Sequence, residues 1–221
     1  MSVNPASIVG RLLRTYDEGM KPLPRALFFA PDGPFLLQES GAEDLSALRR
    51  AVAAGIAGVA LTGCRSGADV QRLAVLLSVA EAEEDQPEGA SRVLAVTDGI
   101  LPAPVAADGF SGKSARLTGL IWDHAALART LGVESGRTAD GAWSAPFAAA
   151  RTAVLLSAKA AGLRAYDSAG PLAAEAFAED CRRSRDDGFS GRLAQAPEQV
   201  PVIESIYALG RSISKTLPAS L

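Results

Sequence analysis

The sequence predicts an α/β fold in which helices cover a parallel sheet. Apolar segments of four to six residues alternate along the chain with amphipathic segments of ten residues or more. The short segments, such as 57–61 (AGVAL) and 117–122 (LTGLIW), lack a regular alternation of polar and apolar side chains. Strands of this kind are buried on both faces, which is typical of a parallel sheet. An open doubly wound sheet and a closed (β/α) barrel both produce this pattern.

The predicted elements follow one another in a regular order. A helix is predicted in 1–24, with Asn4 as its cap and Pro5 in its first turn, and it forms an N-terminal helical extension. Residues 25–221 form a barrel-like domain, so 1–221 makes up a single domain. Its predicted strands lie at 26–30, 57–61, 92–96, 117–122, 164–166 and 192–195, and its predicted helices at 44–54, 66–84, 123–131, 146–161, 171–185 and 197–211.

The composition excludes several classes of protein. Of the 221 residues, 48% are apolar, which excludes a disordered chain. The net charge of −3 argues against a general nucleic-acid binder, which carries a basic face. Two cysteines cannot make a disulfide framework, and no apolar segment reaches the ~18–20 residues that span a bilayer. We therefore expect a soluble, cytoplasmic protein without a nucleic-acid or membrane partner.

Functional side chains are expected at the carboxyl ends of the strands, because both architectures place their sites there. The residues that follow the strands are Thr62, Gly63, Cys64 and Arg65, then Thr97, Asp98 and Gly99, then Asp123 and His124, then Asp167, and finally Ala196 and Pro197. Three carboxylates among them, Asp98, Asp123 and Asp167, could hold a hard cation such as Mg²⁺. The alternative for Asp123 is that it caps the helix that follows it.

Two further side chains have both a chemical and a structural interpretation. Cys64 is either a thiolate nucleophile beside Arg65 or a small residue at the edge of the core. His124 is the one histidine of the chain, and it is either a general base or a packing residue. Zinc-ligand spacings, glycine-rich phosphate-binding motifs and a nucleophile elbow are absent from the sequence.

Four ordered segments resemble a known family. They are 58–70 (GVALTGCRSGADV), 119–123 (GLIWD) with Leu131-Gly132, 158–167 (AKAAGLRAYD) and 188–200 (GFSGRLAQAPEQV). These segments are similar to the conserved elements of the citrate lyase beta-subunit-like branch of the HpcH/HpaI aldolases. Residues 25–31 (RALFFAP) resemble that family's first strand, "R-S-x-L-F-V-P", and the alternative is that they are the remnant of its later arginine strand.

The resemblance implies a TIM (β/α) barrel, here shortened, and carbon–carbon lyase chemistry. The substrate would be a hydroxy-acyl-CoA or a related 2-oxo or hydroxy acid, and Mg²⁺ or Mn²⁺ would stabilise the enolate formed on cleavage. The residues assigned through it are Asp123 and Asp98 as metal ligands, Arg25 and Arg65 as catalytic residues, and Thr97, Gly63, Asp167 and Pro197 as substrate-binding residues.

Several positions depart from the family pattern. Val96 replaces the second metal-ligand glutamate, Gly63 replaces a lysine, and Ala196 replaces a histidine. Only six strands can be placed, which leaves sheet edges for the N-terminal helix, residues 35–38 or another subunit to cover. The alternative function is therefore that of a degenerate, catalytically inactive member that acts in binding, regulation or oligomerisation. In either case we expect a homo-oligomer that binds a small carboxylate or an acyl-CoA.

Overall fold

The fold is described by a computed structural model for residues 25–29, 35–104, 106–170, 172 and 174–209. The strands are β1 (Ala26–Leu27), β2 (Phe35–Glu39), β3 (Gly58–Thr62), β4 (Arg92–Thr97), β5 (Leu117–Trp122), β6 (Arg164–Ser168) and β7 (Gly191–Leu193). The helices are α1 (Leu45–Ala53), α2 (Gly67–Glu83), α3 (His124–Leu131), α4 (Ala145–Ala160), α5 (Ala174–Asp186) and α6 (Gln199–Leu209). The helix predicted in 1–24 lies outside the described residues. None of the described helices has the length and apolar character that would let it cross a membrane.

All of these strands belong to one parallel sheet, with the order β1-β7-β6-β5-β4-β3-β2. From β2 to β7, each strand pairs with the strand that comes next in the chain. A doubly wound sheet would instead reverse its direction of growth at a switch point. The steady progression is that of a (β/α) barrel, so the barrel-like alternative is confirmed.

The barrel is shortened and open. β1 pairs with β7, while no described residue of β1 pairs with β2, so seven strands form a curled sheet with two edges. The sequence predicts six of these strands and misses β2, which pairs with β3 along its whole length. β2 lies at the edge, and its Leu37 is 48% exposed. Of the strand predicted at 26–30, Ala26–Leu27 is paired and residues 28–29 are not, while residue 30 lies outside the described residues.

The two faces of the sheet carry different apolar layers. One layer joins strand residues such as Val59, Leu61 and Trp122 to the inward sides of the helices. The other contains strand residues alone among its buried members: Leu27, Phe35, Ala60, Leu94, Val96, Ile121 and Tyr166. Adjacent residues such as Leu61 and Ala60 fall in opposite layers, because side chains alternate across a strand. The helices therefore cover the outer face, and the second layer fills the barrel interior.

Local signals in the sequence fix where several helices begin and where α3 ends. Asp44 caps α1 by accepting a hydrogen bond from the backbone N–H of Ser46, and Ser66 and Asp69 form a reciprocal capping box at α2. Gly132 ends α3 with φ of 67°, a left-handed conformation that glycine adopts without a steric penalty. These starts place the first residues of α2 and α3 directly after the carboxyl ends of β3 and β5.

Candidate functional site

A cavity of about 530 Å³, here called the strand-end cavity, opens at the carboxyl ends of β2 to β5. It is lined by Glu39, Thr62, Gly63, Arg65, Val96, Asp98, Asp123, Ala126, Arg129 and Thr130. Four of the residues predicted from the sequence lie in it, namely Gly63, Arg65, Asp98 and Asp123. The structure therefore brings together half of the predicted site at the expected edge of the sheet.

Asp123 is the helix cap that the sequence offered as the alternative to a metal ligand. Its Oδ1 accepts hydrogen bonds from the backbone N–H groups of Ala125 at 2.9 Å and Ala126 at 3.1 Å. Its own N–H donates to the carbonyl of Thr97 at 2.8 Å, which ties the cap to β4. No described residue hydrogen-bonds its Oδ2. Capping and a ligand role would therefore use different oxygens of the same carboxylate.

Asp98 is held more tightly than Asp123. Its side chain is buried, and its Oδ1 accepts from the N–H of Ile100 at 3.0 Å. Its Oδ2 accepts from the hydroxyl of Thr130 at 3.2 Å and pairs with the Arg65 guanidinium. The Arg65 side chain is 52% exposed, so this pair lies at the cavity wall with its cation towards solvent. Arg65 therefore compensates most of the charge that Asp98 brings.

Val96 and Thr97 end β4 with opposite orientations. Val96 belongs to the interior layer and presents an apolar side chain to the strand-end cavity. Thr97 is buried, and its hydroxyl accepts a hydrogen bond from the N–H of Gly99 at 3.1 Å. Gly99 has φ of 91°, so this bond stabilises the turn that leaves the strand. Thr97 thus shapes the turn, while its side chain does not line the cavity.

The remaining predicted residues lie elsewhere. Arg25 precedes β1, at the amino edge of the sheet, and its carbonyl accepts from Arg192 N–H. Asp167 is buried and bonded to Arg151 of α4 at 3.0 and 2.8 Å, so it faces the helices. Pro197 lies just before α6 and does not line the strand-end cavity. Within the described residues, no three acidic, cysteine or histidine side chains are close enough to form a metal cluster. The expected trio of Asp98, Asp123 and Asp167 is therefore not assembled.

The sequence placed Thr62 at a strand end but missed Glu39, Arg129 and Thr130 as cavity residues. Thr130 could have been found, because Ala126 and Thr130 stand three and seven positions after Asp123, on one side of a helix. Glu39 depends on β2, which was not predicted. For Cys64 the expected structural role fits better than the chemical one, because the side chain is fully buried and burial raises the pKa of its thiol to about 12.

A second cavity of about 580 Å³, here called the tryptophan cavity, lies on the other side of α3. It is lined by His124, Ala125, Ala128, Arg129, Gly132, Val133, Glu134, Ser135, Gly136, Arg137, Trp143 and Gly170. His124 Nδ1 lies 2.6 Å from the hydroxyl of Ser168. Burial lowers the pKa of His124, which favours the neutral imidazole. His124 therefore faces away from the predicted metal ligands, and Arg129 is the one residue that lines both cavities.

Comparison with known proteins places this fold. No family model matches the chain. Over 91 residues, it is 34% identical to the citrate lyase subunit beta-like protein of Mycobacterium tuberculosis, a match that covers 40% of this chain and 33% of that protein. The solved citrate lyase beta subunit of M. tuberculosis, complexed with oxaloacetate and magnesium, superposes with a TM-score of 0.62 at 27% identity, over 78% of this chain and 72% of that one. This chain has a shortened citrate lyase beta-subunit fold. The family resemblance predicted from the sequence is therefore confirmed.

Other solved structures agree with this fold. The M. tuberculosis protein CitE in complex with magnesium and acetoacetate gives a TM-score of 0.61 at 26% identity, over 80% of this chain and 70% of that one. RipC from Yersinia pestis superposes with a TM-score of 0.61 at 20% identity, over 78% of this chain and 75% of that one. This likeness shows the fold alone. In sequence, the match spans about a third of the length of the curated citrate lyase beta-like relatives.

Proposed function

We propose that this chain is a lyase-like protein that acts on a carbon–carbon bond of a small 2-oxo or hydroxy acid, or its acyl thioester, in the strand-end cavity. The observation that carries the proposal is the arrangement around Asp123. One of its carboxylate oxygens is fixed by the α3 cap, the other has no hydrogen bond within the described residues, and two arginines line the same cavity. The M. tuberculosis relative with this fold was solved with magnesium and oxaloacetate, which supports the same class of ligand here.

The residues fit a magnesium ion that takes few ligands from the protein. Mg²⁺ is commonly bound by one or two carboxylates, with waters and substrate in the remaining positions. Asp123 Oδ2 would be the first ligand, and Asp98 would be the second once Arg65 releases its Oδ2. When bound, such an ion supplies positive charge for the oxygen of an enolate, and Mn²⁺ supplies the same.

The arginines supply recognition of the substrate's carboxylate. A guanidinium group binds a carboxylate through two parallel hydrogen bonds, which fixes its orientation as well as its position. Arg65 is held at the cavity wall by Asp98, and Arg129 has no ion pair among the described residues. Arg129 can therefore bind the carboxylate as it stands, and Arg65 can bind it once the metal ion has replaced Arg65 beside Asp98.

The test is proton exchange on pyruvate, whose methyl group exchanges with D₂O through the enolate. With Mg²⁺ present, we expect NMR to show enzyme-dependent loss of the methyl signal, and we expect Asp123→Asn to slow it by about a hundredfold. Asparagine caps helices as well as aspartate does, so this variant removes the charge and keeps α3 in place. Asp44→Asn, the same change at the cap of α1, is the matched control and should exchange as the wild type does.

A second function is favoured by one observation. Val96 presents an apolar side chain at the position of the family's second acidic ligand, and Asp98 is already paired with Arg65. Both features suit a non-catalytic protein that binds an anion. Saturable oxaloacetate binding without Mg²⁺-dependent exchange would support this function and contradict the lyase. A cytoplasmic location and a homo-oligomeric state remain part of the proposal in both cases.

A further inference from the structure

The tryptophan cavity is separate from the proposed reaction site. It lies between α3, the segment 132–143 and Gly170, and α3 stands between it and the strand-end cavity. Its volume of about 580 Å³ falls inside the ~300–1,000 Å³ range of cavities that bind small molecules. Of its lining residues, the proposed lyase reaction uses Arg129 alone.

One wall of the tryptophan cavity is fixed before any ligand arrives. Trp143 packs edge-on against Trp122 at 4.9 Å between ring centroids and lies parallel to Phe147 at 5.9 Å. The Arg137 guanidinium sits 3.9 Å from the centre of the Trp143 ring. Arg137 also pairs with Asp180 at 2.8 Å and donates to the carbonyl of Gly141 at 2.6 Å. A wall that is already ordered loses little conformational entropy when a ligand binds.

The polar groups of this cavity suit a negatively charged ligand. Arg137 pairs with Asp180, whose Oδ2 also pairs with Arg192 at 2.8 Å, whereas Arg129 is exposed and has no ion pair among the described residues. His124 uses Nδ1 towards Ser168, so Nε2 is the ring nitrogen left for a ligand. The acidic group at this cavity is Glu134, which is exposed. Arg129 is therefore the unpaired cation of the wall.

The apolar groups suit a hydrocarbon body behind that charge. Ala125, Ala128, Val133 and the Trp143 ring form the apolar side-chain surface, and Ser135 adds a hydroxyl group. A simple inorganic anion would leave this apolar surface wet, whereas an organic acid would cover it. We propose that the tryptophan cavity is a second binding site, for an organic carboxylate with an apolar body, whose carboxylate pairs with Arg129.

The two tryptophans of the chain, Trp122 and Trp143, both belong to this cluster, so intrinsic fluorescence reports on it. Trp122 Nε1 also donates to the carbonyl of Asp98 at 3.2 Å, so variants are needed to assign a fluorescence change to one cavity. We would titrate the full chain with benzoate as the probe, and with neutral benzamide of the same shape. We expect a saturable change in emission when benzoate is added to the wild type. Benzamide should bind the wild type about tenfold more weakly, and benzoate should bind Arg129→Gln about tenfold more weakly, because each of these pairs lacks the charge-assisted contact. Arg182→Gln, on the exposed Arg182–Glu179 pair of α5, is the control and should bind as the wild type does.

Because Arg129 lines both cavities, a pair of variants on α3 identifies the cavity that is occupied. Ala128→Leu fills only the tryptophan cavity and should weaken the binding of benzoate by about tenfold. Ala126→Leu fills only the strand-end cavity and should leave the binding of benzoate unchanged. The reverse result would place benzoate in the strand-end cavity and overturn the inference. A linear quench without saturation, or equal binding by Arg129→Gln, would overturn it as well. None of these outcomes depends on lyase activity, so the failure of one proposal leaves the other standing.

Discussion

At the scale of single residues, Asp123 serves the fold and the candidate site with different atoms. Its Oδ1 satisfies two backbone donors that a helix leaves unpaired at its start. These two hydrogen bonds fix the rotamer of the Asp123 side chain, so its Oδ2 is held at one place in the strand-end cavity. A structural role and a ligand role, which the sequence presented as alternatives, are thus compatible in one carboxylate.

The sequence predicts which residues follow a strand better than it predicts where their side chains point. Gly63, Arg65, Asp98 and Asp123 reach the cavity because they come after the last paired residue of a strand. Thr97 and Asp167 lie within strands, where each residue faces the side opposite to its neighbours. In a strand that is apolar on both faces, composition does not reveal which side is inward, so these two orientations could not be predicted.

The pH dependence of His124 can be predicted from its surroundings. Burial lowers its pKa below the ordinary 6.5, so the unfolded chain takes up a proton at a higher pH than the folded chain does. Stability should therefore fall as the pH drops from 6.5 through the pKa of the folded state. Since the chain has one histidine, its ring proton signals in NMR give that pKa directly. A midpoint at or above 6.5 would contradict the prediction, and His124→Gln should lack this part of the pH dependence.

At the scale of elements, β2 shows the limit of reading strands from apolar runs. Residues 35–39 (FLLQE) end in two polar residues and belong to an edge strand, so they lack the buried signature of β3 or β4. Their pairing with β3 depends on the backbone hydrogen-bonding groups that β3 offers and not on a pattern within 35–39 itself. The helices were easier to predict, because caps and helical spacing are local features of the sequence.

The attachment of α2 to the sheet depends on a buried ion pair. Arg116, directly before β5, binds Glu81 of α2 at 2.8 and 2.7 Å, and both side chains are almost inaccessible. Burial would raise the pKa of Glu81, but hydrogen bonds from Arg116 and from the N–H groups of Ser91 and Gly89 outweigh it and lower the pKa.

Arg116→Met should destabilise the protein by about 3–5 kcal/mol, because it leaves the Glu81 charge buried without a partner. Urea denaturation gives the free energy of unfolding. The double variant Glu81→Met with Arg116→Met should recover most of the loss, since two apolar side chains of similar length replace the pair. As a control, substitution of Arg182, which pairs with Glu179 on the exposed surface of α5, should change the free energy of unfolding by less than about 1 kcal/mol. If Arg116→Met alone were as stable as the wild type, the result would contradict the prediction and show that water reaches Glu81.

At the scale of the whole molecule, motif order conveyed more than composition did. Alternating strands and helices fit a barrel and a doubly wound sheet equally well, and only the order of the family-like segments favoured the barrel. The number of strands and the opening between β1 and β2 depend on pairings between residues far apart in the chain. Such pairings leave no periodic signal, so the extent of the barrel had to come from the structure.

The pairing of β1 with β7 has a consequence for how the molecule folds. β2 to β7 can be added one after another, each against its neighbour in the chain, whereas β1 must meet residues such as Glu204, which is 178 positions from Ala26. Closing so long a loop carries a larger entropic cost, and β1 offers only two paired residues in return. We expect β1 to dock last and to detach first. In native-state hydrogen exchange, the amides of Arg192 and Ala194, which donate to the carbonyls of Arg25 and Leu27, should exchange faster than those of the central strand β4. Equal protection would mean that the sheet opens as one unit.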